Sequence, residues 1–182
     1  TPSDESEMVK MLTTGYKHIG LAAVRYPRGN ITGVEFEKEF MDSIPIGKAS
    51  VIRKGADIAY LVFGTMLSSI KKVAESNNAT IIDMRFVKPI DEDIIVDVCN
   101  SHRYIFTVED NTVLGGAGSA VNEVLVKYGI NKIVKNLGIP DETIPHGNQN
   151  DILASVGLDY NSILSTTINH IKFMEEYEKK AR

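Results

Sequence analysis

The sequence predicts a three-layer α/β/α domain built on a mostly parallel sheet. Three observations carry this. Short apolar runs recur from Ala49 onward, at Ser50–Arg53, Ile58–Phe63, Thr80–Phe86, Tyr104–Val108 and Ile133–Leu137. Between most of them lies one stretch whose apolar residues repeat at helical spacing. Glycine or proline marks the junctions at Gly64, Pro89 and Gly115–Gly118. Strands separated by single helices imply βαβ units, whose sheet is covered by helices on both faces.

Residues 3–18 read as a helix. Ser3 is a plausible N-cap, Asp4 and Glu5 suit the positive end of the helix dipole, and Met8, Met11, Leu12 and Tyr16 recur at helical spacing. A short apolar strand follows at Leu21–Tyr26 and is ended by Pro27. Residues 29–48 carry Gly29, Gly33, Pro45 and Gly47 around the charged stretch Glu35–Lys38, which reads as a linker at a domain boundary. Within the regular part, Gly64 turns the chain into a helix marked by Met66, Ile70, Val73 and Ala74. Pro89 fits the first turn of the next helix, with Asp91, Glu92 and Asp93 beside it and Ile94, Ile95 and Val98 facing the core. The glycines at 115, 116 and 118 lead into a helix with Val121, Val124 and Leu125 inward. Two helices, about 150–156 and 160–178, end the chain.

Composition excludes several classes. The 182 residues, 43% hydrophobic, suffice for one ordinary domain or one domain plus a piece of another. Twenty basic against 24 acidic residues give a net charge of -4, which argues against a general nucleic-acid surface. No apolar run approaches the roughly 20 residues of a membrane span. The single cysteine, Cys99, excludes an internal disulfide and sits in an apolar helical stretch, as a small core residue would. The chain opens at Thr1 directly before a helix, so it is expected to begin inside a larger domain.

Arg25-Tyr26-Pro27-Arg28-Gly29 is the strongest candidate for chemistry. It follows a predicted strand, where α/β sheets bind ligands. Two arginines three residues apart on a stiff turn can offer planar forks to a phosphate, or form a surface or interdomain ion pair. Gly115-Gly116-Ala117-Gly118 invites a phosphate-loop reading, because helix N-termini bind anions. It lacks the Gly-Lys-Ser/Thr of a P-loop and the third glycine of the dinucleotide fingerprint, so tight strand-to-helix packing is the better reading. Asp83, Asp91, Glu109 and Asp110 match no metal spacing and read as structural or interface groups. Asp83 and Arg85 are same-face neighbours on one strand and can pair. Among the histidines, His146 is the most loop-like, while His18, His102 and His170 read as helix-end or surface residues. The Glu175–Lys180 run reads as a solvated helix end.

Considered together, the motifs are far more specific than any one. Thr1-Pro2-Ser3-Asp4-Glu5, Ala23 to Asn30, Gly47-Lys48, Phe63-Gly64-Thr65, Asp83 to Pro89, Thr107-Val108-Glu109, Gly115 to Val121, Leu137 to Asp141 and Gly157-Leu158-Asp159 occur in one order. That order resembles the C-terminal part of the 1-deoxy-D-xylulose-5-phosphate synthase family, within the thiamine-diphosphate enzymes of the transketolase type. The likeness covers essentially the whole chain. Lys48-Ala49 stands where Lys-Gly is common and Asp110 where Glu is common; neither is expected to touch a proposed site.

The resemblance implies a transketolase C-terminal-like domain at 49–182, a linker at 31–48, and the end of a pyrimidine-binding domain at 1–30. It implies condensation of pyruvate with glyceraldehyde 3-phosphate with loss of carbon dioxide, the first step of non-mevalonate isoprenoid biosynthesis. It places Arg28, with Arg25 as alternative or scaffold, on the phosphate of the acceptor. Thiamine diphosphate and Mg2+ are expected in the full-length enzyme, on parts outside this chain, since no Gly-Asp-Gly occurs here. No catalytic, cofactor-binding or metal-binding residue is expected within the 182 residues, and the chain alone is expected to be inactive. The implied partners are the N-terminal domains of the same enzyme and a second copy in a homodimer, with no nucleic acid and no membrane. The implied location is the cytoplasm in a bacterium or a plastid-type organelle in a eukaryote, without secretion. Two other readings remain: the β-subunit of a 2-oxo-acid dehydrogenase, and a regulatory or interaction module with a pocket near Gly115–Gly118.

Overall fold

The computed structural model describes residues 1–27, 33 and 42–181, with the backbone alone at 181. Helix α1 (Glu5–Lys17) comes first. Then β1 (Ser50–Arg53) and β2 (Ile58–Phe63) lead through a 3-10 turn at Gly64–Met66 into α2 (Leu67–Asn77). β3 (Thr80–Asp83), α3 (Glu92–Ser101), β4 (Tyr104–Thr112), α4 (Ala117–Lys127) and β5 (Val134–Ile139) continue the alternation. α5 (Gln149–Ser155) and α6 (Tyr160–Ala181) end it.

The sheet runs β1-β3-β2-β4-β5. β2 lies parallel to β3 and β4, β4 parallel to β5, and β1 alone is antiparallel, on β3. All six residues of β2 are buried, as expected of a central strand covered on both faces. Its alternate side chains divide two cores. Ile58, Tyr60 and Val62 pack with α2, α5 and α6, whereas Ala59, Leu61 and Phe63 pack with α3 and α4. The three-layer α/β/α expectation therefore holds. Within the first core, the Tyr60 hydroxyl is 2.8 Å from Thr167 Oγ1 and accepts from Asn77 at 2.9 Å.

Several local expectations are corrected. The α1 cap is Asp4, whose carboxylate accepts the Glu7 N–H at 2.9 Å, while Ser3 is buried. Leu21–Tyr26 forms no strand: Leu21 and Tyr26 are exposed, and no strand among the described residues offers its backbone a ladder. β3 stops at Asp83 rather than Phe86, because Arg85 turns to φ +57°, outside the strand region. Pro89 precedes its helix. The cap there is Asp91, whose carboxylate accepts from Ile94 N at 3.5 Å and from Ala49 N at 2.9 Å, so it joins α3 to the residue just before β1. No helix is long and apolar enough to cross a membrane among the described residues.

Candidate functional site

The carboxyl ends of β2, β3 and β4 form one rim, the usual ligand-binding edge of such sheets. Arg25 reaches this rim. Its guanidinium donates to Asp110 Oδ1 at 2.6 Å and, through a second nitrogen, to the Asp110 carbonyl oxygen at 2.9 Å. The other carboxylate oxygen of Asp110 accepts the Thr65 hydroxyl at 3.2 Å. Arg25 is 49% exposed and Asp110 is 14% exposed, so the pair is a partly shielded clamp. Asp110 thus touches a proposed site residue, contrary to the expectation from sequence. Arg28, Gly29 and Asn30 lie outside the described residues, as does the charged stretch Glu35–Lys38.

Beside the clamp, Glu109 is buried and turns inward. Its two carboxylate oxygens accept the backbone N–H groups of Ala117 and Gly118, each at 2.8 Å. These are the first N–H groups of α4, which would otherwise lack partners. Burial pushes the Glu109 carboxyl above its ordinary value, and the two N–H groups oppose that shift. Glu109 therefore occupies the place an anion would take at this helix start. Arg25, Asp110, Glu109, Gly115, Gly116 and Val87 are among the residues lining a cleft of about 100 Å³.

A second polar cluster lies where α1 meets β3. Asp83 is buried and accepts the Arg85 backbone N–H at 3.0 Å. Burial pushes its carboxyl up. The expected side-chain pair of Asp83 with Arg85 is replaced by another. The positive φ of Arg85 takes its guanidinium to Glu7, with Nε 2.8 Å from Oε2 and a second nitrogen donating to Oε1 at 2.9 Å.

Cys99 is buried, and burial raises its thiol pKa, as suits a core residue. His18 and His102 stand at helix C-caps as expected. His170 instead lies within α6, its ring edge-on to Phe106 at 5.4 Å, and burial lowers its pKa. His146 stays in the loop between β5 and α5. The Glu175–Lys180 run is not merely solvated: Glu178 accepts from Arg103 at 2.6 Å and Glu175 from the Tyr104 hydroxyl at 3.4 Å. Among the described residues, no three His, Cys, Asp or Glu are placed to hold a metal ion.

At the α4 start, the donor set does not fit the diphosphate of thiamine diphosphate. That group would need free N–H donors and a magnesium ligand set, and the α4 start already holds a carboxylate. Sequence reasoning found Arg25 but missed its partners Asp110 and Thr65. Their motifs were visible, yet the contact spans 85 positions and leaves no local signal.

The transketolase C-terminal domain model matches residues 47–163. The 1-deoxy-D-xylulose-5-phosphate synthase of Shigella dysenteriae serotype 1 (strain Sd197) is 51% identical over 160 residues, 87% of this chain and 26% of that protein. The protein of the same name from Escherichia coli (strain K12 / DH10B) gives the same figures. The chain thus spans about a quarter of these relatives' length. Among solved structures, "Split gene transketolase, inactive beta4 tetramer" superposes with a TM-score of 0.64 at 24% identity, over 70% of this chain and 43% of that one. That likeness concerns the fold alone.

Proposed function

The chain belongs to the transketolase C-terminal domain family, and from that premise we propose that it is the C-terminal portion of a 1-deoxy-D-xylulose-5-phosphate synthase. The observation that carries the reading is the 51% identity across 87% of the chain to proteins of that name. The whole enzyme would condense pyruvate with glyceraldehyde 3-phosphate, release carbon dioxide and open non-mevalonate isoprenoid biosynthesis. Residues 1–30 would close its pyrimidine-binding domain, 31–48 would link, and 49–182 would form its third domain, in a homodimer. Thiamine diphosphate, with Mg2+, supplies the carbanion chemistry and would sit on the parts outside these 182 residues.

The work of this chain's own residues is positioning. In this reading Arg28 holds the acceptor's phosphate, where a planar guanidinium fork suits the oxygens. The involvement of Arg25 with Asp110 favours Arg28 over Arg25 for that contact, because two of Arg25's donors are already taken. The regulatory reading at Gly115–Gly118 loses ground, since Glu109 fills the helix start that an anionic ligand would need.

The test is carbon dioxide release from pyruvate, with glyceraldehyde 3-phosphate, thiamine diphosphate and Mg2+. It compares this chain, the full-length protein and the full-length Arg28→Ala variant. The full-length protein should be active and the chain inactive. Arg28→Ala should raise KM for the phosphorylated acceptor about tenfold to several hundredfold, from roughly 1.5–3 kcal/mol per charged hydrogen bond. An inactive full-length protein would overturn the synthase reading. An unchanged acceptor KM would overturn the role of Arg28.

A further inference from the structure

We infer that Asp110 is a positioning residue: it grips Arg25 from the end of β4 and so sets where the arm of residues 22–27, which leads in sequence to Arg28, stands. The inference rests on the synthase reading for its substrate, but its geometry stands apart from that reading.

The grip is two-point. One guanidinium nitrogen of Arg25 meets the Asp110 carboxylate at 2.6 Å and another meets the Asp110 carbonyl at 2.9 Å. Two parallel contacts to one residue fix orientation as well as distance. The anchor lies where the pairing of β4 with β5 shifts register, and it is held by side-chain contacts. Asp110 belongs to β4, its second carboxylate oxygen takes the Thr65 hydroxyl, and its neighbour Glu109 is tied to α4 through two N–H groups. Both oxygens of the Asp110 carboxylate are therefore engaged. On the other side, only Tyr26 and Pro27 separate Arg25 from Arg28, and proline fixes one of the intervening φ angles.

Magnitudes separate this role from plain stabilisation. Arg25 is 49% exposed, and exposed ion pairs add little to folding. Losing the clamp should therefore leave the melting temperature nearly unchanged. It should still misplace the arm, and small misplacements of a binding group cost measurable affinity.

The experiment uses the full-length enzyme with Asp110→Ala, Arg25→Ala and the double variant. Steady-state kinetics are read with glyceraldehyde 3-phosphate and with unphosphorylated glyceraldehyde as acceptors. Hydrogen exchange of the peptide spanning residues 22–27 is read in parallel. Asp110→Ala should raise KM for the phosphorylated acceptor about three- to twentyfold, with a smaller change in kcat and in KM for pyruvate. The unphosphorylated acceptor should lose less than twofold, because it offers the arm no phosphate. The double variant should be no worse than Arg25→Ala, since Asp110 acts through Arg25. Exchange at 22–27 should quicken in Asp110→Ala.

An unchanged KM, an equal loss with both acceptors, or additive losses in the double variant would each overturn the inference. If the wild-type enzyme were inactive with these substrates, the synthase reading would fall and the exchange measurement would decide the clamp alone. Unchanged exchange would then sink it, and quickened exchange would uphold the grip on the arm.

Discussion

Two carboxylates at the rim show how one residue type divides its work by environment. Glu109 and Asp83 are both buried, and burial raises both carboxyl pKa values. Glu109 is compensated by two helix N–H groups, Asp83 by the Arg85 N–H. The consequence for stability can be worked out for Asp83. Its ordinary value is 3.8 and its folded value is higher. Between the two, the native state holds more protons than the unfolded state, so the stability tied to protonated Asp83 is present below 3.8 and is lost as pH rises through the folded value. Asp83→Asn mimics the protonated form and does not titrate. Urea unfolding across acid to neutral pH should show wild-type stability falling relative to Asp83→Asn as pH rises through that window. A difference independent of pH would contradict the raised pKa.

At the scale of elements, the Gly115–Gly118 turn is a packing device. A Cβ added at Gly118 would stand 2.5 Å from Thr107 Oγ1 and 3.0 Å from the Asn136 amide carbon. One added at Gly116 would overlap the Thr112 carbonyl and stand 2.5 Å from Glu109 Oε2. Glycine at both positions lets α4 approach β4 and β5 closely enough for Glu109 to reach the helix N–H groups. Gly118→Ala should destabilise the fold by about 1–3 kcal/mol through overpacking. Gly116→Ala should cost about 2–4 kcal/mol, because it also displaces the carboxylate that caps α4. Chemical denaturation checks both, and a neutral Gly116→Ala would contradict the close-packing account.

Across the whole molecule, α1 is fixed to the sheet domain through one shielded ion pair. Glu7 is 11% and Arg85 17% exposed, and two contacts of 2.8 and 2.9 Å join them. Removing one partner strands the other charge, which is costlier than removing both. Glu7→Ala should therefore destabilise by about 2–4 kcal/mol, and the double variant with Arg85→Ala by less than the sum. Full additivity in unfolding experiments would show that the pair does not couple the two parts. The Arg25–Asp110 clamp joins the same two parts at the rim, and the Thr1 ammonium adds a bond to the Arg85 carbonyl at 2.8 Å.

Much of the fold was legible in the chain, because apolar periodicity and glycine or proline punctuation are local signals. β2, α2 and α4 fall close to where these signals put them. Leu21–Tyr26 has the composition of a strand, but a strand also needs a partner ladder, which composition does not encode. Arg85 has ordinary strand neighbours, and only its positive φ sends its side chain to Glu7 instead of Asp83. By itself, the sequence determined the α/β alternation and the motif set that carries the family. Only the tertiary structure decided that Glu109 fills the α4 start and that Asp110 grips Arg25, since hydrogen bonds depend on distances that chain folding alone brings within reach.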